Sequence, residues 1–250
     1  MVAKQDNNPE NDHVKLETTP RLARHSPNNT TALPSLVDSL VNQEAAASEE
    51  NPLSQGFDVV ALTASADGLN ALSSVLSALP ANFPAAIVVV QHLSPQYPSL
   101  IAQILNRRTP LLVKEAQEGN QLSPGKVFIA PPDYHLMVNP DGSLSLSQTE
   151  KVHFVRPAAE ILFESVAQSY KKRAIAVVLT GGDGDGSRGV QAIRKMGGKV
   201  IAQDKATSKV WGMPAAAIAT GCVDWVLPLD KIGAALINLV MHGEIEGNLA

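Results

Sequence analysis

From residue 57 onward the apolar positions of this chain alternate between two regimes. Short apolar runs occupy residues 57–64 (FDVVALTA), 85–90, 126–130 (KVFIA) and 174–180 (AIAVVLT). Runs of this length predict strands buried on both faces. Shorter strand candidates lie at 111–113, 199–202 and 223–227. Between them the spacing switches to a helical period. Leu69, Leu72, Val75 and Leu76 share one face of a helix over 69–79, and further helices are predicted over 100–107, 157–172, 187–196, 214–220 and 231–242. Pro157 suits the first helical position of the helix it opens. His135–Val138 and residues 143–147 flank Asn139-Pro140-Asp141-Gly142, a β-hairpin signal. Buried strands alternating with helices predict an α/β fold. The expected architecture is a doubly wound, mostly parallel, Rossmann-like sheet with helices on both faces and one β-hairpin insertion.

Residues 1–56 break this pattern. They carry four Lys/Arg and eight Asp/Glu, which accounts for the whole of the chain's net charge of -4. The first 32 residues are rich in Asn, Pro and Thr, and such a stretch buries too little apolar surface to offset its ordering entropy. Leu36, Val37, Leu40 and Val41 suit a short helix within residues 34–50, and residues 51–56 read as a linker. The expected organisation is a polar, disordered tail and linker over 1–56 and one folded domain over 57–250. With 250 residues, 44% of them hydrophobic, the chain can bury a sizeable core. Its mild acidity argues against a nucleic-acid partner. No run approaches the ~20 apolar residues of a membrane span, and the N-terminus lacks the apolar core of a secretory signal. A cytoplasmic protein with no membrane insertion is expected. The single cysteine, Cys222, excludes an intrachain disulfide and reads as a small buried hydrophobe.

Ligands of open parallel sheets bind beyond the carboxyl ends of the strands. Three polar features stand there: Ser65 after the first strand, His92 after the second, and Asp183 with Asp185 after AIAVVLT. A serine, a histidine and an aspartate are the parts of a nucleophilic site, in which imidazole takes the weak alcohol's proton and carboxylate fixes the imidazole tautomer. Each also has a structural reading, since a serine at a strand-to-helix junction is commonly an N-cap and a lone histidine is commonly packing. The Ser65 context fails the G-x-S-x-G elbow. GGDGDGS matches neither a dinucleotide fingerprint, nor a P-loop, nor a calcium loop, where Arg188 stands at the turn-glycine position. The remaining histidines show no paired ligand spacing, which argues against a zinc site.

Taken in order, the motifs resemble one family. VVALTASADGLNAL, VVVQHLSP, KVFIAPPDYHL, VRPAAEILFESVA, AVVLTGGDGDGSRGVQAI and IAQDKATSKVWGMPAAAI are similar to the successive motifs of the CheB-type chemotaxis methylesterase catalytic domain. The resemblance spans about residues 57–239. It implies hydrolysis of glutamate γ-methyl esters on the cytoplasmic helices of chemoreceptors, and in many members deamidation of receptor glutamines. Carried over by motif, the nucleophile falls on Ser65, the base on His92 and the orienting acid on Asp185. The oxyanion would be held by backbone N–H groups of Ala66 and Gly182, and a Ser65–His92 hydrogen bond near 3 Å is expected. No metal or organic cofactor is implied. Arg156 and Arg188 are candidates for steering an anionic receptor helix.

Departures from the pattern are Thr63 and Asp67, where the family usually has glycine, and Gly182 with Asp183, where it often has methionine and glycine. Thr63 is expected to crowd the turn that presents Ser65, and Asp67 to add charge beside the site. Residues 1–56 are too short and polar for the receiver domain that commonly precedes this one. That implies a stand-alone domain controlled by a separate regulatory protein, by the tail, or not at all. Two other readings compete: an esterase for another protein methyl ester, and an inactive binding module in a signalling complex.

Overall fold

The computed structural model describes residues 59–93 and 99–245. The expected tail, the helix within 34–50 and the linker lie outside the described residues.

Seven strands form one parallel sheet: β1 (Val59–Ala64), β2 (Ala86–Gln91), β3 (Leu112–Glu115), β4 (Lys126–Ile129), β7 (Ala174–Val178), β8 (Lys199–Gln203) and β9 (Trp225–Leu227). Their order is β3-β4-β2-β1-β7-β8-β9, with every pair parallel. A separate antiparallel hairpin joins β5 (His135–Val138) to β6 (Leu144–Ser147). Among the described residues are six α-helices, α1 (Gly68–Ser77), α2 (Ile101–Asn106), α3 (Ala159–Tyr170), α4 (Ser187–Lys195), α5 (Gly212–Ala219) and α6 (Leu229–His242), and a short 3-10 helix at Lys171–Arg173.

Alternation along the central strands sorts the core into two layers, as the period-2 pleat requires. Val60, Leu62, Ile87, Val89, Ile175 and Val177 face one way, into a layer with Leu72 and Leu76 of α1 and Leu236 and Leu239 of α6. Val59, Ala61, Val88, Val90, Ala176 and Val178 face the other, against Leu162, Phe163 and Val166 of α3, Val190 of α4 and Leu136 of the hairpin. Every residue of β1, β2 and β7 is buried. That is why these strands lack polar alternation in the sequence.

From β1 the chain adds strands outward in one direction through β2, then from β7 in the other through β8 and β9. The neighbours β1 and β7 therefore mark the point where the winding reverses, the usual place of a ligand crevice in such sheets.

Candidate active site

In the register, Ala64 of β1 pairs with Gln91 of β2. Ser65 and His92 therefore follow as neighbours across one strand spacing, about 4.8 Å. Backbone bonds hold both: His92 N donates to Ala64 O at 3.1 Å, and Ser65 N donates to Thr180 O at 2.9 Å. Gln91 Nε2 donates to Ser65 O at 2.8 Å and to His92 O at 3.1 Å, tying the two loop starts together. A Cβ at Gly68 would overlap the Gln91 side-chain oxygen, so only glycine leaves room for this tie. At Gly181 a Cβ would overlap the Met213 side chain and come within 3.0 Å of the Ser65 Cβ. Thr180 Oγ1 donates to Ala66 O at 3.0 Å and accepts from Val210 N at 3.0 Å, joining a third loop to the first two.

Asp185 lies beside His92. His92 Nε2 and Asp185 Oδ2 are 2.8 Å apart, with the imidazole side chain 8% exposed and the carboxylate fully buried. The same carboxylate accepts from Ala159 N at 2.6 Å and from Glu160 N at 3.1 Å. These are first-turn donors of α3, which have no partner within their own helix. The start of α3 at Ala159, two residues beyond the sequence expectation at Pro157, follows from this capture.

Glu160 returns the arrangement. Its buried carboxylate accepts from Arg188 N at 3.0 Å and forms a short bond with Gly189 N, both in the first turn of α4. Asp185 thus caps α3, while Glu160 on α3 caps α4, and the carboxylate beside His92 is fixed by two first-turn N–H groups of α3.

The nucleophile side is open. Ser65 is half-buried, and Ala66, Asp67 and Gly182 are exposed. The structural reading of Ser65 as an N-cap does not hold. Asp67 occupies that position, in the left-handed region at φ 61°, and no side chain caps the helix. Its carboxylate accepts from Asn70 Nδ2 at 2.7 Å. The φ value explains why glycine suits this position, and aspartate is among the residues that tolerate it. Thr63 keeps its strand pairing with Val90 and Val178, and its buried hydroxyl has no hydrogen-bond partner. Among the described residues, neither the Ala66 nor the Gly182 N–H donates a hydrogen bond.

The expected Ser65–His92 hydrogen bond is not made, because His92 Nδ1 has no hydrogen-bond partner. Asp183 Oδ2 stands 3.4 Å from that nitrogen, and its other oxygen accepts from Asp185 N at 3.2 Å. Catalytic hydrogen bonds are often long in ligand-free sites and tighten with substrate.

Arg156 is held in place by a set of hydrogen bonds. Its guanidinium donates to Asp133 Oδ1 at 2.7 and 3.1 Å and to the carbonyls of Gln148 and Thr149 at 2.9 and 2.7 Å. This hydrogen bonding holds the Asp133 carboxyl below the usual carboxylate range. Arg188 is 64% exposed, with its Nε 3.8 Å from Glu160.

His153, Glu160 and Asp185 bring ligand atoms within 4.8 Å of one another, the arrangement a metal ion would need. Both carboxylates are already committed to helix N–H groups, so an ion there would have to strip the caps from α3 and α4.

Sequence reasoning overlooked Gln91, Glu160 and Thr180. An acidic residue in a first helical turn looks like an ordinary dipole partner. Only the packing of α3 against α4 reveals that Glu160 serves a different helix.

The sequence model of the CheB methylesterase family matches residues 60–236. The protein-glutamate methylesterase FrzG of Myxococcus xanthus is 42% identical over 184 residues, covering 74% of this chain and 55% of that one. A protein-glutamate methylesterase/protein-glutamine glutaminase of Thermotoga maritima is 41% identical over 185 residues, covering 73% and 54%. A putative enzyme of the same description from Leptospira interrogans is 37% identical over 183 residues, covering 73% and 95%. The chain thus spans about half the length of the first two relatives and nearly all of the third. The crystal structure of the Thermotoga maritima CheB methylesterase catalytic domain superposes with a TM-score of 0.71 at 41% identity, covering 74% of this chain and 99% of that domain. A parallel sheet wound in both directions, motifs on its strand tips and a match over most of the folded residues agree: this chain belongs to the CheB methylesterase family, and spans its catalytic domain.

Proposed function

We propose that this chain is a protein-glutamate methylesterase that hydrolyses glutamate γ-methyl esters on chemoreceptor helices, with Ser65, His92 and Asp185 as its triad. The observation that carries this reading is the buried His92 Nε2–Asp185 contact of 2.8 Å, which leaves Nδ1 without a hydrogen bond, with Asp183 Oδ2 3.4 Å away. With its proton on Nε2, held by Asp185, His92 presents a lone pair on Nδ1. The tautomer is assigned from this partner.

Nδ1 takes the Ser65 hydroxyl proton as Oγ bonds to the ester carbonyl carbon. The carbonyl electrons move onto oxygen, where the Ala66 and Gly182 N–H groups receive the charge. The tetrahedral species collapses, the C–OCH₃ bond breaks, and His92 returns the proton to methoxide as methanol. Water, deprotonated by the same nitrogen, then attacks the acyl-serine, and breakdown releases the glutamate carboxylate and the Ser65 hydroxyl. A glutamine side chain entering the same cycle would release ammonia instead of methanol.

The test is methanol release from methylated chemoreceptor membranes. Release by the wild-type chain that is abolished in Ser65→Ala supports the reading. No release from the wild type, or release that survives in Ser65→Ala, overturns it. Among the described residues no helix is long and apolar enough to cross a membrane. The receptor would therefore be met from a site on the domain's surface.

A further inference from the structure

Phe154 is 95% exposed, the most exposed of the large hydrophobic residues described. It forms the tip of a two-residue turn closed by paired backbone bonds, Val152 N to Val155 O at 3.2 Å and Val155 N to Val152 O at 3.0 Å. Both tip residues lie in the left-handed region, His153 at φ 50° and Phe154 at φ 63°. Turns of this kind ordinarily take Asn-Gly or Asp-Gly, and a bulky side chain at positive φ is a marked outlier. Neither packing nor backbone preference asks for an aromatic here, and strain of this sort gathers at ligand-contacting segments.

The turn is also fixed to the site. On one side Arg156 is clamped to Asp133 and to two carbonyls. On the other, His153 Nε2 lies 3.5 Å from the buried Glu160, the acid that caps α4. Phe154, Lys151 and His92 line one cleft of about 70 Å³, together with Leu93 and Pro157. The aromatic ring and the imidazole therefore flank the same opening.

We propose that this turn is the docking element for the substrate helix. Phe154 packs on the apolar flank of the helix that carries the glutamate ester, and Lys151 faces the acidic side chains on that helix. The assignment rests on the methylesterase reading above, and names the contact that selects a helix as its substrate. A helix rises 5.4 Å per turn, and in this proposal the turns adjoining the ester run along the cleft that Phe154 shares with His92. The glutamates left by earlier demethylation give that helix the negative charge that Lys151 matches.

The experiment compares wild type, Phe154→Ala, Phe154→Leu and Phe154→Asp in two assays. One is steady-state methanol release from methylated receptor membranes. The other is binding of a labelled receptor helix peptide carrying glutamate, the reaction product, at the methylation position, which undergoes no turnover. Removing a buried phenyl contact should raise KM and weaken peptide binding roughly 10- to 100-fold in Phe154→Ala, with Phe154→Leu close to wild type and Phe154→Asp worse than alanine. Unchanged KM and binding in Phe154→Ala overturn the proposal, as does a loss confined to kcat. If wild type binds the peptide through Phe154 but releases no methanol, docking stands and the esterase reading falls. If wild type releases methanol and Phe154 is immaterial, the reverse holds.

Discussion

His92 with Asp185 and Ser65 with Ala66 stand one strand spacing apart, yet they are held in opposite ways. On the first side, the carboxylate is buried and shared among an imidazole and two helix N–H groups, and its neighbour Glu160 caps the opposing helix. On the second side the serine is half-buried, the adjoining residues are exposed, and the helix that follows begins without a side-chain cap. The His92–Asp185 half is thus part of the fold, whereas the Ser65 half is a loop held by its backbone. In the proposed mechanism a substrate must reach Ser65 and the N–H groups beside it, which accounts for the openness of that half. In that mechanism the Asp185 carboxylate does not meet substrate and can be built into the packing.

Substitutions should separate the two halves, beginning with the largest effect. Ser65→Ala is expected to cost about 10⁴-fold or more in rate while leaving stability within about 0.5 kcal/mol, because the hydroxyl has no structural bond. Methanol release and thermal unfolding of the same preparation check this together. Asp185→Ala should lose both properties. The rate falls by a factor on the order of 10⁴ as the His92 tautomer is released, and stability falls by about 3–5 kcal/mol as buried partners are left unpaired. An Asp185→Ala protein as stable as wild type would break the comparison.

Glu160→Gln is the intermediate case. It keeps an acceptor but removes the charge that two α4 N–H groups share, so unfolding should ease by about 1–3 kcal/mol. Activity should fall less than in Asp185→Ala, since Glu160 acts on His92 only through the placement of α3 and α4. Denaturant titration alongside turnover measures both.

The smallest effect concerns Arg156, whose hydrogen bonds hold Asp133 below the usual carboxylate range. A carboxyl with a lowered folded pKa contributes stability above its unfolded value and loses it as pH falls through the folded one. Arg156→Gln should therefore unfold at a lower temperature than wild type near neutral pH. That difference should narrow as the pH drops through and below the ordinary carboxylate range. Melting curves across that range provide the check.

The fold was legible because its strands are short apolar runs and its helices keep one apolar face. Residues such as Val60 and Leu62 needed only a two-sided sheet to explain them. Of the site, Ser65, His92 and Asp185 were legible as polar residues at strand ends, and the motif resemblance ordered them. Glu160 and Gln91 were not, because each acts on a backbone group that only packing brings near: Arg188 and Gly189 for one, Ser65 for the other. The hydrogen bonds of Arg156 were not legible for the same reason. Its role depends on Asp133, 23 residues earlier in the chain, and no local pattern announces that pairing. The turn at residues 152–155 was invisible as well, since His-Phe is not a sequence that calls for positive φ.

The central claim is that a prebuilt imidazole–carboxylate pair activates Ser65 in particular. A fluorophosphonate probe reacts with activated serines and is located by peptide mass spectrometry. The account predicts one modified residue, Ser65, with labelling lost in His92→Ala and strongly slowed in Asp185→Ala. Modification at another residue, or Ser65 labelling undiminished in His92→Ala, would contradict it.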